Sequence, residues 1–494
     1  MMRNIYKIKI ALLITLATQL VSCDDYLSEL PDQRTLIDSP EKISQLITNA
    51  YPQSGYQLMA EIMSDNADDK GTTEETTDLE LDSFRWITSN LDTNDTPASY
   101  WNSCYNAIAH ANEALASIEN FPETDLSAQK GEALLARAYG HFMLVNFWAK
   151  SYNSTTASTD LGIPYVLQPE TVLLEEYTRN TVEEVYDLIE KDLIEGLALV
   201  TSDYDQPKYH FTKSAAYAFA TRFYLYKGDW DKVIEHSSKV LTNPSNQIRN
   251  TEGYRSLTYS QNKAIYPSAT ETTNLLIVST ESLYDRRFAS TRFGLSALKA
   301  NELFFSGAGN PLSKSWSYAV YGTDVVYNLP KFDEYFKLTN ANAGIGIPHV
   351  EIVLFSIDEV LLNRAEAYAM KEQYTEALAD LDIFLSRKTR SYDATTDKLT
   401  DDIVKANYPI VTDEYTPSYS LLDNQTPYVK MIAELKRREF YHEGLRWFDI
   451  RRFDLEITHE LSDRSVVVLE KQDPRKALQI PTFALAQGLT ANPR

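Results

Sequence analysis

Apolar residues recur at helical spacing along most of the chain, in segments that come in pairs. Ile43, Leu46, Ile47 and Ala50 follow Asp38-Ser39-Pro40-Glu41, a capping-box pattern with proline at the first helical position, and predict a first helix. Ile108, Ala111, Leu115 and Ile118 repeat within the segment from Tyr100 to Ile118 and predict a second, amphipathic helix. Leu134 to Trp148 is apolar nearly all round, the pattern of a buried helix. Thr181-Val182-Glu183-Glu184 is a further capping box, opening a helix through Val185, Leu188, Ile189 and Leu193.

One pair of helices recurs. The segment ATRFYLYKGDWDKVIEHSSKVLTNP from Ala220 aligns without a gap on RAEAYAMKEQYTEALADLDIFLSRK from Arg364, matching Tyr224 to Tyr368, Trp230 to Tyr374 and Ile234 to Leu378. Each copy reads as helix, tight turn, helix, with small residues where helices approach and aromatics where they interlock, which is the TPR pattern. The copies start 144 residues apart, far more than the roughly 34 of a regular array, so a large segment is inserted between them. Residues of about 245 to 355 form this insertion, rich in Tyr, Ser, Asn, Gly and Pro with few helical periods; irregular excursions on a rigid scaffold are where binding surfaces are usually built. The scaffold is expected within about 38–245 and 356–390.

The N-terminus changes the picture from a free globule to an exported one. Arg3, Lys7 and Lys9 precede the apolar run Ile10 to Leu20, too short to span a bilayer, so residues 1–22 read as a secretory signal. The run ends in Leu20-Val21-Ser22-Cys23, which resembles a bacterial lipobox and makes Cys23 the expected acylated anchor. Acyl chains add roughly 0.8 kcal/mol per buried methylene, so several together hold a protein on a membrane. Asp24 and Asp25 resemble the export signal that sends lipoproteins of the Bacteroidota to the cell surface. Removing the three basic residues of the signal from 47 Lys plus Arg leaves 44 against 70 Asp plus Glu, a surface that repels nucleic acid and anionic lipid. Of the 2 cysteines, acylation of Cys23 leaves Cys104 without a disulfide partner, so stability rests on burial, for which 43% apolar content is ordinary.

The run from Glu434 to Phe453, Glu434-Leu-Lys-Arg-Arg-Glu-Phe-Tyr-His-Glu-Gly-Leu-Arg-Trp-Phe-Asp-Ile-Arg-Arg-Phe453, resembles the C-terminal signature of the SusD/RagB family, lipoproteins that partner TonB-dependent outer-membrane transporters. Four further segments are similar to that family, in its order: Cys23-Asp-Asp-Tyr-Leu27, Leu135-Ala-Arg-Ala-Tyr139 leading to Gly162-Ile-Pro164, Glu359 to Tyr368, and Gln479-Ile-Pro481 with Asn492-Pro493. The chain stops at Arg494, where relatives often continue a few residues. The resemblance implies an all-α dominated fold of about four TPR-like helix pairs with minor β-structure, in one domain over residues 23–494 that closes with the signature segment from about 426. It implies a cell-surface protein, lipid-anchored in the outer membrane, that captures cargo for a SusC-like TonB-dependent transporter. Relatives mostly bind glycans, and some bind peptides.

A glycan offers apolar ring faces rimmed by hydroxyls, so its receptor needs flat aromatics with polar neighbours. The chain has 32 Tyr and 6 Trp. Trp230 in the repeat, Trp447 in the signature run, Trp148 at the end of the buried helix and Trp101 at the start of the amphipathic one are assigned to packing. Trp86 lies in the polar stretch Asp82 to Asn90, and Trp316 in Ser315-Trp-Ser-Tyr-Ala-Val-Tyr321; if that stretch is extended, Trp316 and Tyr318 share a face, with Tyr321 one step off. Each such aromatic either pins a loop to the scaffold or contacts ligand, and the pattern leaves both open. The candidate ligand-binding set is Trp86, Trp316, Tyr318 and Tyr321, with Arg85 and Asp65 as polar neighbours.

Within the signature run, Glu434 and Arg438 form a favourable i, i+4 pair, and Glu439 and Glu443 a repulsive one that needs outside partners; Arg446, Asp449, Arg451 and Arg452 are the candidates for a buried ion-pair network. Enzyme motifs fail on spacing. His442-Glu443 starts like a zinc-protease helix, but position 446 is Arg; Gly307-Ala-Gly309 and Gly344-Ile-Gly346 lack the third glycine of a dinucleotide loop; and Asp92-Thr-Asn94 has Pro97 where a calcium loop needs glycine. No catalytic residue, metal ligand or cofactor is therefore expected. A surface glycoside hydrolase stays open, since its two carboxylates carry no short motif, as does a bare TPR scaffold.

Overall fold

The computed structural model describes residues 37–71, 76–170, 176–287, 291–323 and 326–494, so the signal and Cys23 lie outside the described residues. Ser39 caps α1 (Pro40–Ile47) by accepting from the Lys42 backbone N–H at 3.4 Å, and the helix buries Ile43 and Ile47. Two helices that the pattern does not predict follow, α2 (Gln57–Met63) and α3 (Asp78–Phe84). Every residue of α2 is buried, so it has no polar face from which a period could be read. α4 (Pro97–Ile118) and α5 (Ser127–Trp148) form a helical hairpin, and α5 packs along α6 (Val182–Leu199), where Thr181 and Glu184 make the expected capping box. Gly196 lets that pair approach, because a Cβ there would lie 2.7 Å from the Leu135 side chain and 3.0 Å from the Gly131 carbonyl.

Both repeat copies fold as read, into α7 (Lys213–Lys227) with α8 (Trp230–Val240) and α9 (Ile357–Met370) with α10 (Tyr374–Lys388). The alignment holds at the turn, where Gly228 and Glu372 occupy equivalent places and both adopt left-handed backbone, φ 80° and 58°. α7 and α8 pack on α9, so the copies are neighbours in space despite the intervening chain.

The insertion is more regular than its composition predicts. Among the described residues the nine strands are β1 (Asp68–Asp69), β2 (Asn274–Glu281), β3 (Phe293–Gly294), β4 (Tyr321–Thr323), β5 (Val326–Asn328), β6 (Tyr335–Asn340), β7 (Ile345–Ser356), β8 (Ile457–Glu460) and β9 (Val466–Leu469), six of them within it. β2, β7 and β6 make an antiparallel sheet with β7 in the middle, and β7 runs straight into α9, whose N-cap is Ser356. β2 is buried along most of its length and so lacks alternation, while helices such as Thr251–Tyr254 and Ala297–Leu303 are too short to show a period. The whole is helix-dominated with small sheets around one large apolar core. Among the described residues no helix is long and apolar enough to cross a membrane.

The signature run is not one helix. It breaks between α11 (Thr426–Glu439) and α12 (Leu445–Arg452), with His442 and Gly444 at φ 73° and 72°. Glu439 and Glu443 therefore do not share a helical face, and their partners come from elsewhere: Lys388 of α10 lies 2.8 Å from Glu439, and Lys331 of the insertion 2.7 Å from Glu443. Arg446 is spent on Asp65 (2.8 Å), Arg452 on Glu366 (2.7 Å) and Asp449 (2.9 Å), and Arg451 donates to the Ala149 carbonyl. The network locks the signature to α9, α10 and the insertion.

Glu61 of α2 sits beside this network, ion-paired with no cation among the described residues, and accepts from Asn66 at 2.8 Å and from the Gly444 N–H at 3.3 Å. Burial pushes its pKa up to about 7 from the usual 4.5. A raised carboxyl contributes stability that is fully present below pH 4.5 and is lost as pH rises through 7. We expect stability in urea to fall by about 2 kcal/mol between pH 5 and 8 on this account, and Glu61→Gln to flatten that slope. An unchanged slope in the variant would assign it to other groups.

Candidate functional site

Three of the four predicted ligand aromatics lie inside the protein, and Tyr321 is half-buried. Trp86 is 5% exposed, donates its indole N–H to the Met63 carbonyl at 2.8 Å and stacks on His459 with ring centroids 4.4 Å apart. Trp316 is 3% exposed and donates to the Ala308 carbonyl at 2.7 Å, with the Arg438 guanidinium over its ring. Tyr318 lies 5.9 Å from Trp316 between centroids, on the shared face that alternation predicts, but is buried and donates to Glu439 at 2.9 Å. Tyr321, half-buried, donates to the Leu257 carbonyl at 2.9 Å. Burial would raise the Asp65 pKa, yet Arg437 and Arg446 hold it well below the carboxylate range, so Asp65 is a partner in the ion-pair network. Arg85 is half-buried just past α3. Trp316 and Tyr318 touch each other, but among the described residues no ring contact or hydrogen bond joins them to Trp86, Arg85 or Asp65. As ligand contacts, Trp86, Trp316 and Tyr318 are corrected: they pin irregular segments to the ion-paired core.

A cavity of about 330 Å³ opens instead on the outer flank of α4. Trp101, Tyr105 and Ile108 of α4 form its floor, and Asn102 and Ala109 project at its edge. The second wall is the extended segment Pro164 to Glu170, held from behind by buried polar groups. Tyr105 donates to the Pro164 carbonyl (2.9 Å), Asn112 to the Val166 carbonyl (3.0 Å) and Arg137 to the Leu167 carbonyl (3.2 Å). Arg137 is fixed in turn by a bidentate pair with Asp192 at 2.7 and 2.8 Å. Burial pushes the His141 pKa down to about 3, so the ring is neutral; its Nδ1–H donates to the Arg137 carbonyl and its Nε2 accepts the Val166 N–H at 3.0 Å. Gly162 starts this wall because a Cβ would lie 2.9 Å from the Asn180 and Thr181 carbonyl oxygens.

The third wall is α13 (Thr482–Ala486) and the residues after it, supplying Phe483, Gln487 and Leu489. Trp148 donates to the Gln479 carbonyl at 3.1 Å, and the Asn492 amide donates back to the Trp148 carbonyl at 2.7 Å. Arg179 ties second wall to third, donating to the carbonyls of Gly162 (2.7 Å) and Thr490 (2.9 Å). Two segments that carry the family resemblance, around Arg137 to Pro164 and Gln479 to Asn492, thus build this cavity.

The floor is aromatic and apolar, while the rim carries the exposed amides of Asn102, Gln168 and Gln487 and the carboxylate of Glu170. Those amides make no side-chain hydrogen bond within the described residues, and Glu170 accepts one, from the Tyr177 hydroxyl at 2.8 Å. Such a lining can stack on a flat apolar face while exchanging hydrogen bonds around its edge. Among the described residues no group of three His, Cys, Asp or Glu side chains is placed to hold a metal ion. Trp101 packs as its sequence position predicts, 4% exposed with its ring edge-on against Trp148, and only its edge reaches the cavity floor, where half-buried Tyr105 and Phe483 present more ring surface. The missed signal was Tyr105 and Asn102 on the flank of the apolar stripe, aromatic and amide side by side where a solvated face needs neither.

Two family models match the sequence, one described as starch-binding associating with outer membrane over residues 25–225 and the SusD family over residues 300–479. Together they cover more than three quarters of the chain. Among curated proteins none matches. Solved structures share the fold. A SusD superfamily protein of Bacteroides thetaiotaomicron superposes with TM-score 0.65 at 19% identity, covering 92% of this chain and 99% of that chain. One of Bacteroides fragilis gives 0.62 at 19%, covering 92% and 99%. A SusD-like carbohydrate binding protein of Bacteroides vulgatus gives 0.61 at 17%, covering 90% and 96%. With the signature segments in order, the paired-helix fold matched over nine tenths of its length and both sequence models in agreement, the chain belongs to the SusD/RagB family.

Proposed function

We propose that this protein binds a glycan in the α4 cavity and presents it to a SusC-like TonB-dependent transporter, held at the outer membrane by lipid on Cys23. The observation that carries the reading is the cavity lining, an aromatic floor ringed by uncommitted amides, in a volume of about 330 Å³ that suits a short saccharide. A carbohydrate binding relative with the same fold and a family described as associating with the outer membrane support the ligand class and the location. The cavity fits a peptide less well, since among the described lining residues there is no basic group to meet a carboxylate. It also fits hydrolysis less well, because among the described residues Glu170 is the sole carboxylate in the lining where a glycosidase needs two.

Ala109 is exposed on the cavity edge, so Ala109→Trp fills the space without entering the core. In native gels cast with a panel of polysaccharides, we expect the parent to be retarded by at least one polymer and the variant to bind it at least tenfold more weakly, with an unchanged melting temperature. Equal retardation of both proteins would place the glycan elsewhere.

A further inference from the structure

We propose that Glu170 makes the cavity a charge filter, so that its cargo is an uncharged glycan and polymers bearing carboxylate or sulfate are turned away; this rests on the glycan reading above. Among the described residues of the lining, Glu170 is the one ionisable acid or base apart from the phenols, and it stands at the exposed rim. It is also fixed in place, since Tyr177, itself a lining residue, donates to one carboxylate oxygen at 2.8 Å. The other oxygen faces no hydrogen-bond donor among the described residues, and a carboxylate oxygen accepts from sugar hydroxyls but has nothing to offer an anion.

Among the described residues no cation lines the cavity to offset it. Arg179, the guanidinium nearest in sequence to this wall, directs its N–H groups to the carbonyls of Gly162, Thr490 and Leu161 at 2.7, 2.9 and 3.1 Å and is not part of the lining. The remaining polar groups, Asn102, Gln168 and Gln487, are neutral amides that pair with hydroxyls equally well as donors or acceptors. A single anionic group about 6 Å from Glu170, in surroundings close to water, is disfavoured about threefold, and successive charges along a polymer multiply the effect. The strongly acidic chain, 70 Asp plus Glu against 47 Lys plus Arg, repels anionic polymers too, but that diffuse repulsion is screened by salt and does not depend on one residue.

The test compares a neutral polymer that retards the parent, drawn from galactomannan, xyloglucan and mixed-linkage β-glucan, with the same polymer after partial oxidation of its primary hydroxyls to carboxylates. At low salt we expect the oxidised form to bind the parent at least threefold more weakly. Glu170→Gln should close that gap, while Asp402→Asn, at an exposed acid on the separate helix Asp401–Asn407, should leave it open. A parent that binds the oxidised polymer as well as the neutral one, or a gap that survives Glu170→Gln, overturns the filter and leaves the glycan reading standing. Retardation by no polymer, neutral or anionic, overturns the glycan reading itself, and the filter with it.

Discussion

Glu366→Ala should destabilise the protein by about 4 kcal/mol, the cost of leaving buried charge without its partner. Glu366 is fully buried between Lys436 of α11 at 2.7 Å and Arg452 of α12 at 2.7 Å. Burial alone would raise its pKa, but the two cations hold it down at about 2. Truncation removes the acceptor, strands Lys436 in the core and leaves buried Arg452 with Asp449 as its remaining anion. In a chain of this length that corresponds to a fall in melting temperature of about 4 °C. The sign of the pH effect is opposite to that of Glu61: a depressed carboxyl contributes stability present above pH 4.5 and lost as pH falls towards 2. Acid unfolding of the parent should therefore steepen below pH 4.5, and Glu366→Ala should remove part of that steepness. A variant within 1 kcal/mol of the parent at pH 7 would show the pairing to be dispensable.

Trp86→Ala and Trp316→Ala should each cost about 3 to 5 kcal/mol of stability and leave glycan retention in the α4 cavity unaltered in the folded fraction. Trp86 adopts left-handed backbone, φ 52°, which is rare for a bulky residue, and its indole is held there by the Met63 carbonyl and by the stack that continues through His459 and Phe84 to Phe293. Trp316 closes the irregular run after Ala297–Leu303 onto α10 through its bridge to Thr389. Loss of these rings opens cavities that rigid neighbours cannot refill. Thermal melts read the cost, and native gels read the ligand. If either variant melts like the parent yet loses retention, that tryptophan contacts ligand after all and the α4 cavity is not the site.

The helices and their pairing were legible because periodicity and capping are local. Ser39 and Thr181 cap where the pattern places them, and Tyr224 and Tyr368 sit in equivalent helices with the same left-handed turn after each. The sequence also identified the charges of the signature run as a network, since so many ionised groups in an apolar run must pair. It did not identify the partners: Lys388 and Lys331 reach Glu439 and Glu443 from segments whose closeness depends on the packing of α9 and α10 beside the insertion. Nor could it choose among the aromatics. Trp86 and Trp316 have polar neighbours in sequence, yet His459 and Arg438 cover them, while Tyr105, on the flank of an apolar stripe, floors a cavity whose other walls begin at Pro164 and Phe483. Local composition fixes which backbone a segment adopts, because that free energy is summed over neighbours a few residues away. Whether a ring faces core or ligand is set by whichever distant segment lies against it, and only the folded chain decides that.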